Sequence, residues 1–101
     1  MLGVDVKVVD ANPQAGFVPS IEAVEAAVTS RTRAVFVVTP NNPTGAVYLP
    51  AFLDALYDLC HSRGIFVITD ETYRDFLSAG SGPDHALFSK TGWRDGFIHL
   101  Y

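Results

Sequence analysis

Three runs of consecutive apolar residues limit what this chain can fold into: A-V-F-V-V-T at Ala34–Thr39, I-F-V-I-T-D at Ile65–Asp70 and G-F-I-H-L-Y at Gly96–Tyr101. None alternates apolar with polar, as a strand with one wet face does. Such runs suit strands covered on both faces, the situation in a parallel sheet. Between the first two runs, Leu53, Leu56, Tyr57 and Cys60 fall at i, i+3, i+4 and i+7, with Phe52 and Leu59 widening the stripe. That period is helical. Pro50 can open this helix, where a missing N–H costs nothing, although Leu49 before it cannot cap. Gly64 supplies the stop. An earlier helix begins after Ser20, whose hydroxyl can accept from the first turn, and buries Ile21, Val24 and Val28. Glu22 and Glu25 sit toward the positive end of its dipole.

The remaining segments are read from punctuation. Val4, Val6, Val8 and Val9 read as a first strand ending at Asp10, and Asn12, Pro13, Gly16 and Pro19 mark the loop after it. Glu71–Leu77 and Ala86–Lys90 read as short helical turns, with a surface loop at Ser78–Asp84 around Gly80, Gly82 and Pro83. Strands alternating with helices predict βαβ units, right-handed crossovers and an α/β fold, a parallel sheet layered α/β/α. The final run at Phe97–Tyr101 has no covering helix after it. The expectation is a partial domain spanning residues 1–101, truncated at both ends and marginally stable when isolated.

Composition narrows the function. The chain has 101 residues, 49% of them apolar and 18% charged, a globular balance. A net charge of −4 gives no footprint for nucleic acid. No stretch approaches the ~18 uncharged apolar residues of a membrane span. Asp5 and Lys7 interrupt the N-terminal apolar residues, so no signal-peptide core fits there. Cys60 is the single cysteine, which excludes an internal disulfide and a multi-cysteine zinc site. A reducing cytoplasm is the expected compartment.

Ligands of a parallel sheet sit beyond the carboxyl ends of its strands. Two polar motifs mark that edge: Asn41-Asn42-Pro43-Thr44-Gly45 after the first buried run, and Asp70 closing the second with Tyr73 three residues on. Neighbouring strands lie ~4.8 Å apart, so Asn42 and Asp70 can serve one small ring. Each motif alone has a plainer reading. N-P-T-G makes a turn unaided, Asp70 can cap the turn that follows, and Tyr73 can be a rim aromatic. Cys60 on an apolar helix face reads as inert core, and His61 as a complement to the helix dipole. Asp54 and Asp58 read as a solvated helix face. His85 and His99, 14 residues apart, match no metal-ligand spacing, so no metal is expected.

Together the motifs are more specific. P-N-N-P-T-G-A-V at Pro40–Val47 and D-E-T-Y-R-D-F at Asp70–Phe76, with 28 residues from Asn42 to Asp70, resemble the class I/II aminotransferases. These are pyridoxal-phosphate enzymes of fold type I. The resemblance covers essentially the whole chain but only a central part of a family member. It implies a piece of the large domain of an enzyme that moves an amino group between an amino acid and a 2-oxo acid, homodimeric when intact. It also implies that Asn42, Asp70 and Tyr73 bind pyridoxal 5'-phosphate. A carboxylate at Asp70 favours the protonated ring nitrogen, which makes the ring a better electron sink. The amide of Asn42 and the phenol of Tyr73 can donate to the ring's phenolic oxygen.

The family's other parts do not match. Its Schiff-base lysine follows a strand like Phe97–Tyr101 in a Ser-x-Ser-Lys motif. This chain has Lys7 and Lys90 only, and Lys90 in Leu87-Phe88-Ser89-Lys90 is a decoy: it precedes that strand and the first serine is replaced by Leu87. The phosphate-holding loop and the substrate-carboxylate arginine have no counterpart, so no residue here is expected to be catalytic and the chain alone is expected to be inactive. A fold type I lyase or decarboxylase would share the same three residues. The rival of another kind is a non-enzymatic α/β domain, receiver-like or adaptor, although a receiver wants clustered acids near its first strand and only Asp10 is there. If the resemblance holds, sequencing the encoding locus finds Ser-x-Ser-Lys or a close variant within a few residues past Tyr101. An unrelated continuation would count against it.

Overall fold

The computed structural model describes residues 3–76 and 85–101. The predicted loop Ser78–Asp84 and the end of the turn at Leu77 lie outside the described residues. Three strands, β1 (Ala34–Val38), β2 (Phe66–Asp70) and β3 (Phe97–Leu100), form one sheet in the order β1-β2-β3. Both pairings are parallel. Val35, Val67 and Phe97 share one row of the ladder, and Val38, Asp70 and Leu100 share the last. All three carboxyl ends therefore meet at one edge. Thr39 N–H donates to the Asp70 carbonyl at 3.0 Å, and Glu71 N–H donates to the Leu100 carbonyl at 2.9 Å, so the ladder runs through that edge.

Two helices, α1 (Ile21–Ala27) and α2 (Pro50–His61), accompany the sheet. Ser20 caps α1 as expected, its hydroxyl accepting from Ala23 N–H at 3.1 Å. Helix α2 starts at Pro50 after an uncapped Leu49, and Gly64 turns the chain into β2 at φ +67°. An L-residue strains at that φ, which is why the stop falls on glycine. Leu53, Leu56, Tyr57 and Cys60, the predicted stripe, are the buried residues of α2. They form one core with Val24 of α1 and with Val37, Val67 and Phe97 of the sheet. Leu87, in a 3-10 turn at Leu87–Ser89, closes it. Further 3-10 turns at Arg74–Phe76 and Trp93–Asp95 flank β3, the first within the predicted Glu71–Leu77 turn.

Two expectations are corrected. The segment around Val4–Asp10 is not a strand; it joins no ladder, and Val6 is 85% exposed. Its alternating valines have the pattern of a strand, but the segment pairs with none of the described strands. Secondly, the apolar runs are covered on one face only by the described residues. Val37, Thr39, Val67, Thr69 and Phe97 face the helices and are buried. On the opposite face Phe36 (55% exposed), Phe66, Ile98 and Leu100 stand open. Period-two alternation puts these apart although the runs are apolar at consecutive positions. Among the described residues no helix is long and apolar enough to cross a membrane.

This asymmetry predicts unequal costs in the 101-residue chain. Leu56 is fully buried, so Leu56→Ala removes packed methylenes and leaves a cavity, costing about 2–5 kcal/mol. Phe36→Ala removes a largely wet ring and costs roughly 1 kcal/mol or less. Urea unfolding followed by circular dichroism distinguishes the two, and equal losses would contradict the one-sided core.

Candidate functional site

The carboxyl edge of the sheet gathers three polar segments. After β1 the chain makes a tight loop. Asn41 N–H donates to the Ala46 carbonyl at 2.8 Å and Gly45 N–H to the Asn41 carbonyl at 2.8 Å. The Thr44 hydroxyl donates to Asn41 Oδ1 at 2.8 Å, so Asn41 shapes the turn and leaves the Asn42 side chain exposed. The Thr39–Pro40 and Asn42–Pro43 peptide bonds are cis. Asn42 Nδ2 donates to the Tyr73 hydroxyl at 3.2 Å, across 31 residues of sequence. Tyr73 is 40% exposed, a rim aromatic whose hydroxyl faces the loop after β1.

Asp70 ends β2 on the open face of the sheet. Its Oδ1 accepts from Thr72 N–H at 3.0 Å and from the Thr72 hydroxyl. The expected capping role is thus real, and it has an electrostatic consequence. The Thr72 hydroxyl, and after it the Thr72 N–H, hold the Asp70 carboxyl below its ordinary value, against a small opposing push from burial. Asp70 is an anion at neutral pH, and it stands at the same edge as the Asn42–Tyr73 pair.

The neighbouring residue points the other way. Glu71 is buried on the covered face, and its Oε1 meets His85 Nε2 at 2.6 Å. His99 Nε2 lies 3.4 Å from the same oxygen, and Arg74 Nη1 lies 3.7 Å from Oε2. Arg74 also stacks its guanidinium over the Tyr101 ring at 3.9 Å, while the Tyr101 hydroxyl donates to Asp75. Burial pushes the Glu71 carboxyl up, but the His85 hydrogen bond and the charges of His85 and His99 outweigh it, leaving it below its ordinary value. Reading the sequence missed this cluster. The signal was present in the alternation, since Thr69, Glu71 and His99 take polar positions at one end of a face that is otherwise apolar. Among the described residues no group of His, Cys, Asp or Glu has the arrangement of a metal site.

The other singled-out residues do not join the edge. Lys90 Nζ is held by Asp58 at 3.0 Å and Asp54 at 3.2 Å, both on α2. The Asp58 hydrogen bond leads in raising its pKa, so its amine stays charged, unlike a Schiff-base nucleophile. Asp54 and Asp58 are thus more than a solvated face. Burial pushes the Cys60 thiol up to about 11, with Arg63 pulling the other way, which makes it unreactive. His61 stacks on Tyr57, with ring centroids 5.2 Å apart.

Residues 1–98 match the family described as aminotransferase class I and II. The aspartate/prephenate aminotransferase of Thermus thermophilus is 40% identical over 88% of this chain and 27% of its own length. The aspartate aminotransferase of Thermotoga maritima is 34% identical over 97% of this chain and 30% of its own. The chain therefore spans about a quarter of the length of such relatives. Among solved structures, the aromatic aminotransferase of Pyrococcus horikoshii superposes with a TM-score of 0.77 at 27% identity, covering 90% of this chain and 24% of that one. The Thermus thermophilus aspartate aminotransferase with maleate gives 0.67 at 44% identity, covering 71% and 19%.

The depressed Glu71 carboxyl predicts a pH-dependent stability. A group whose folded pKa lies below its unfolded value, about 4.3 for glutamate, stabilises fully above that value. The contribution is lost as pH falls through the folded pKa. Glu71→Gln is therefore expected to lower the urea midpoint at pH 6 and to lose part of that deficit by pH 3, below the unfolded-state value, where the native contribution is already falling. A deficit that stays constant between the two pH values would contradict the charged cluster.

Proposed function

The chain belongs to the class I and II aminotransferases, and from that premise we propose that it is the central part of the cofactor-binding large domain of such an enzyme. The intact protein moves an amino group between an amino acid and a 2-oxo acid, works as a homodimer and resides in the cytoplasm. The family is pyridoxal-phosphate-dependent and of fold type I, and we assign the ring of that cofactor to the carboxyl edge.

The observation that carries the reading is the pairing of Asn42 with Tyr73 at 3.2 Å at the edge where Asp70 ends its strand. The donor set fits the cofactor. Asp70, an anion kept ionised by Thr72, suits a protonated ring nitrogen. Asn42 and Tyr73 each have a proton to donate and lie close enough to converge on one phenolic oxygen. When bound, pyridoxal phosphate supplies the electron sink that takes up charge from the substrate's α-carbon. Asp70 holds the ring-nitrogen proton, Asn42 and Tyr73 orient the ring, and Pro43 and Gly45 shape the loop that presents Asn42. None of the three side chains chooses which substrate bond breaks, so a lyase or decarboxylase of the same fold type would use them alike. Transamination is favoured because the similar proteins carry aminotransferase names, for aspartate, prephenate and aromatic amino acids. No observation favours a receiver-like or adaptor domain.

In the intact enzyme, Asp70→Ala is expected to lower kcat by ~10²–10³, the size of effect seen when a group stabilising transition-state charge is removed. Tyr73→Phe is expected to cost about tenfold or less, one hydrogen bond whose acceptor keeps Asn42. Single-turnover kinetics on both variants provide the check, and comparable losses would overturn the assigned roles.

A further inference from the structure

We propose that Glu71 is a positioning residue for Asp70: its buried carboxylate, hydrogen-bonded by His85 and flanked by His99 and Arg74, fixes the turn that aims Asp70 at the cofactor ring. The inference rests on the reading of Asp70 given above and extends it to a residue on the opposite face of the sheet.

Asp70 and Glu71 are consecutive, so alternation sends one side chain to the open face and the other into the core. The Glu71 backbone is bonded directly to Asp70, so holding the Glu71 side chain in place restrains the peptide that carries Asp70. The main chain around them is tied on three sides. Thr39 N–H holds the Asp70 carbonyl, Glu71 N–H reaches Leu100, and the Glu71 carbonyl accepts from Arg74 N–H at 2.9 Å. What these bonds leave free is the twist of the strand end, and the Glu71 side chain restrains it. Its oxygens face partners from three separate segments: His85 at 2.6 Å ahead of the Leu87–Ser89 turn, His99 at 3.4 Å on β3, and Arg74 at 3.7 Å in the turn after β2. A carboxylate this deep is costly unless paired. Its retention beside the apolar core of Val37, Val67 and Phe97 fits a directional role better than a packing one. Arg74 further links the cluster to Tyr101 and, through the Tyr101 hydroxyl, to Asp75. The turn from Asp70 to Asp75, which also carries Tyr73, is thus braced from beneath by one buried anion.

The test uses the full-length protein that carries this chain, with ¹⁵N-labelled pyridoxine 5'-phosphate as the probe. This compound keeps the ring and the phosphate but has no aldehyde, so its binding needs no lysine. The ¹⁵N shift of its ring nitrogen, followed against pH, reports protonation directly. Glu71→Gln keeps the shape and removes the charge. It is expected to weaken ring-nitrogen protonation about tenfold, a fall of about one pH unit in the midpoint. Asp70→Ala is expected to weaken it more. A purely structural role for Glu71 would lower thermal stability and leave the midpoint where it was. If Asp70→Ala leaves the midpoint unchanged, the reading of Asp70 fails and this proposal falls with it. If Asp70→Ala moves it and folded Glu71→Gln does not, only the positioning role is overturned. Should Glu71→Gln fail to fold, His85→Asn decides. It removes the 2.6 Å hydrogen bond and keeps the carboxylate. A midpoint shift in the same direction supports the proposal, and an unmoved midpoint overturns it.

Discussion

The parallel register of β1, β2 and β3 is the constraint on which the site depends. Because Val38, Asp70 and Leu100 occupy one row, the loop after β1, the turn after β2 and the end of β3 all emerge at the same edge. An antiparallel neighbour would have sent one of them to the far end of the sheet. Within that frame, alternation at the end of β2 sends two neighbouring acids into different surroundings. Asp70 is exposed enough to meet a ligand and is kept ionised by Thr72, while Glu71 is buried and kept ionised by histidines.

Packing serves this edge from one side. Helix α2 lays Leu53, Leu56, Tyr57 and Cys60 against Val37, Val67 and Phe97, and α1 adds Val24. The opposite face presents Phe36, Phe66, Ile98 and Leu100 to solvent. Asp70 lies on that open face, in the same ladder row as Leu100. Whatever covers them also lowers the dielectric around Asp70, and charge interactions strengthen as water is excluded.

Much of this was legible in the residues. The helical stripe of α2 reads off its spacing because four apolar positions at i, i+3, i+4 and i+7 fit no strand. Ser20 announces its helix because a hydroxyl before an apolar-periodic run has one common use. Asn42, Asp70 and Tyr73 stand out because each follows or ends a strand, and the structure brings them to one edge. The failures have physical causes too. Val4–Asp10 alternates like a strand, yet a strand exists only where a partner supplies its hydrogen bonds, and no sequence window contains the partner. The one-sided cover of the sheet was invisible because a continuous apolar run carries no information about which face meets a helix. The Glu71 cluster depends on His85 and His99 returning to one point from 14 and 28 residues away, a convergence set by topology.

A crystal structure of the full-length protein with pyridoxal 5'-phosphate tests the central claim most directly. The expected result is the cofactor ring at the carboxyl edge, the Asp70 carboxylate within about 3 Å of the ring nitrogen, and Asn42 and Tyr73 at hydrogen-bond distance from its phenolic oxygen. A ring bound at another edge, or one at this edge with Asp70 turned away from its nitrogen, would contradict it.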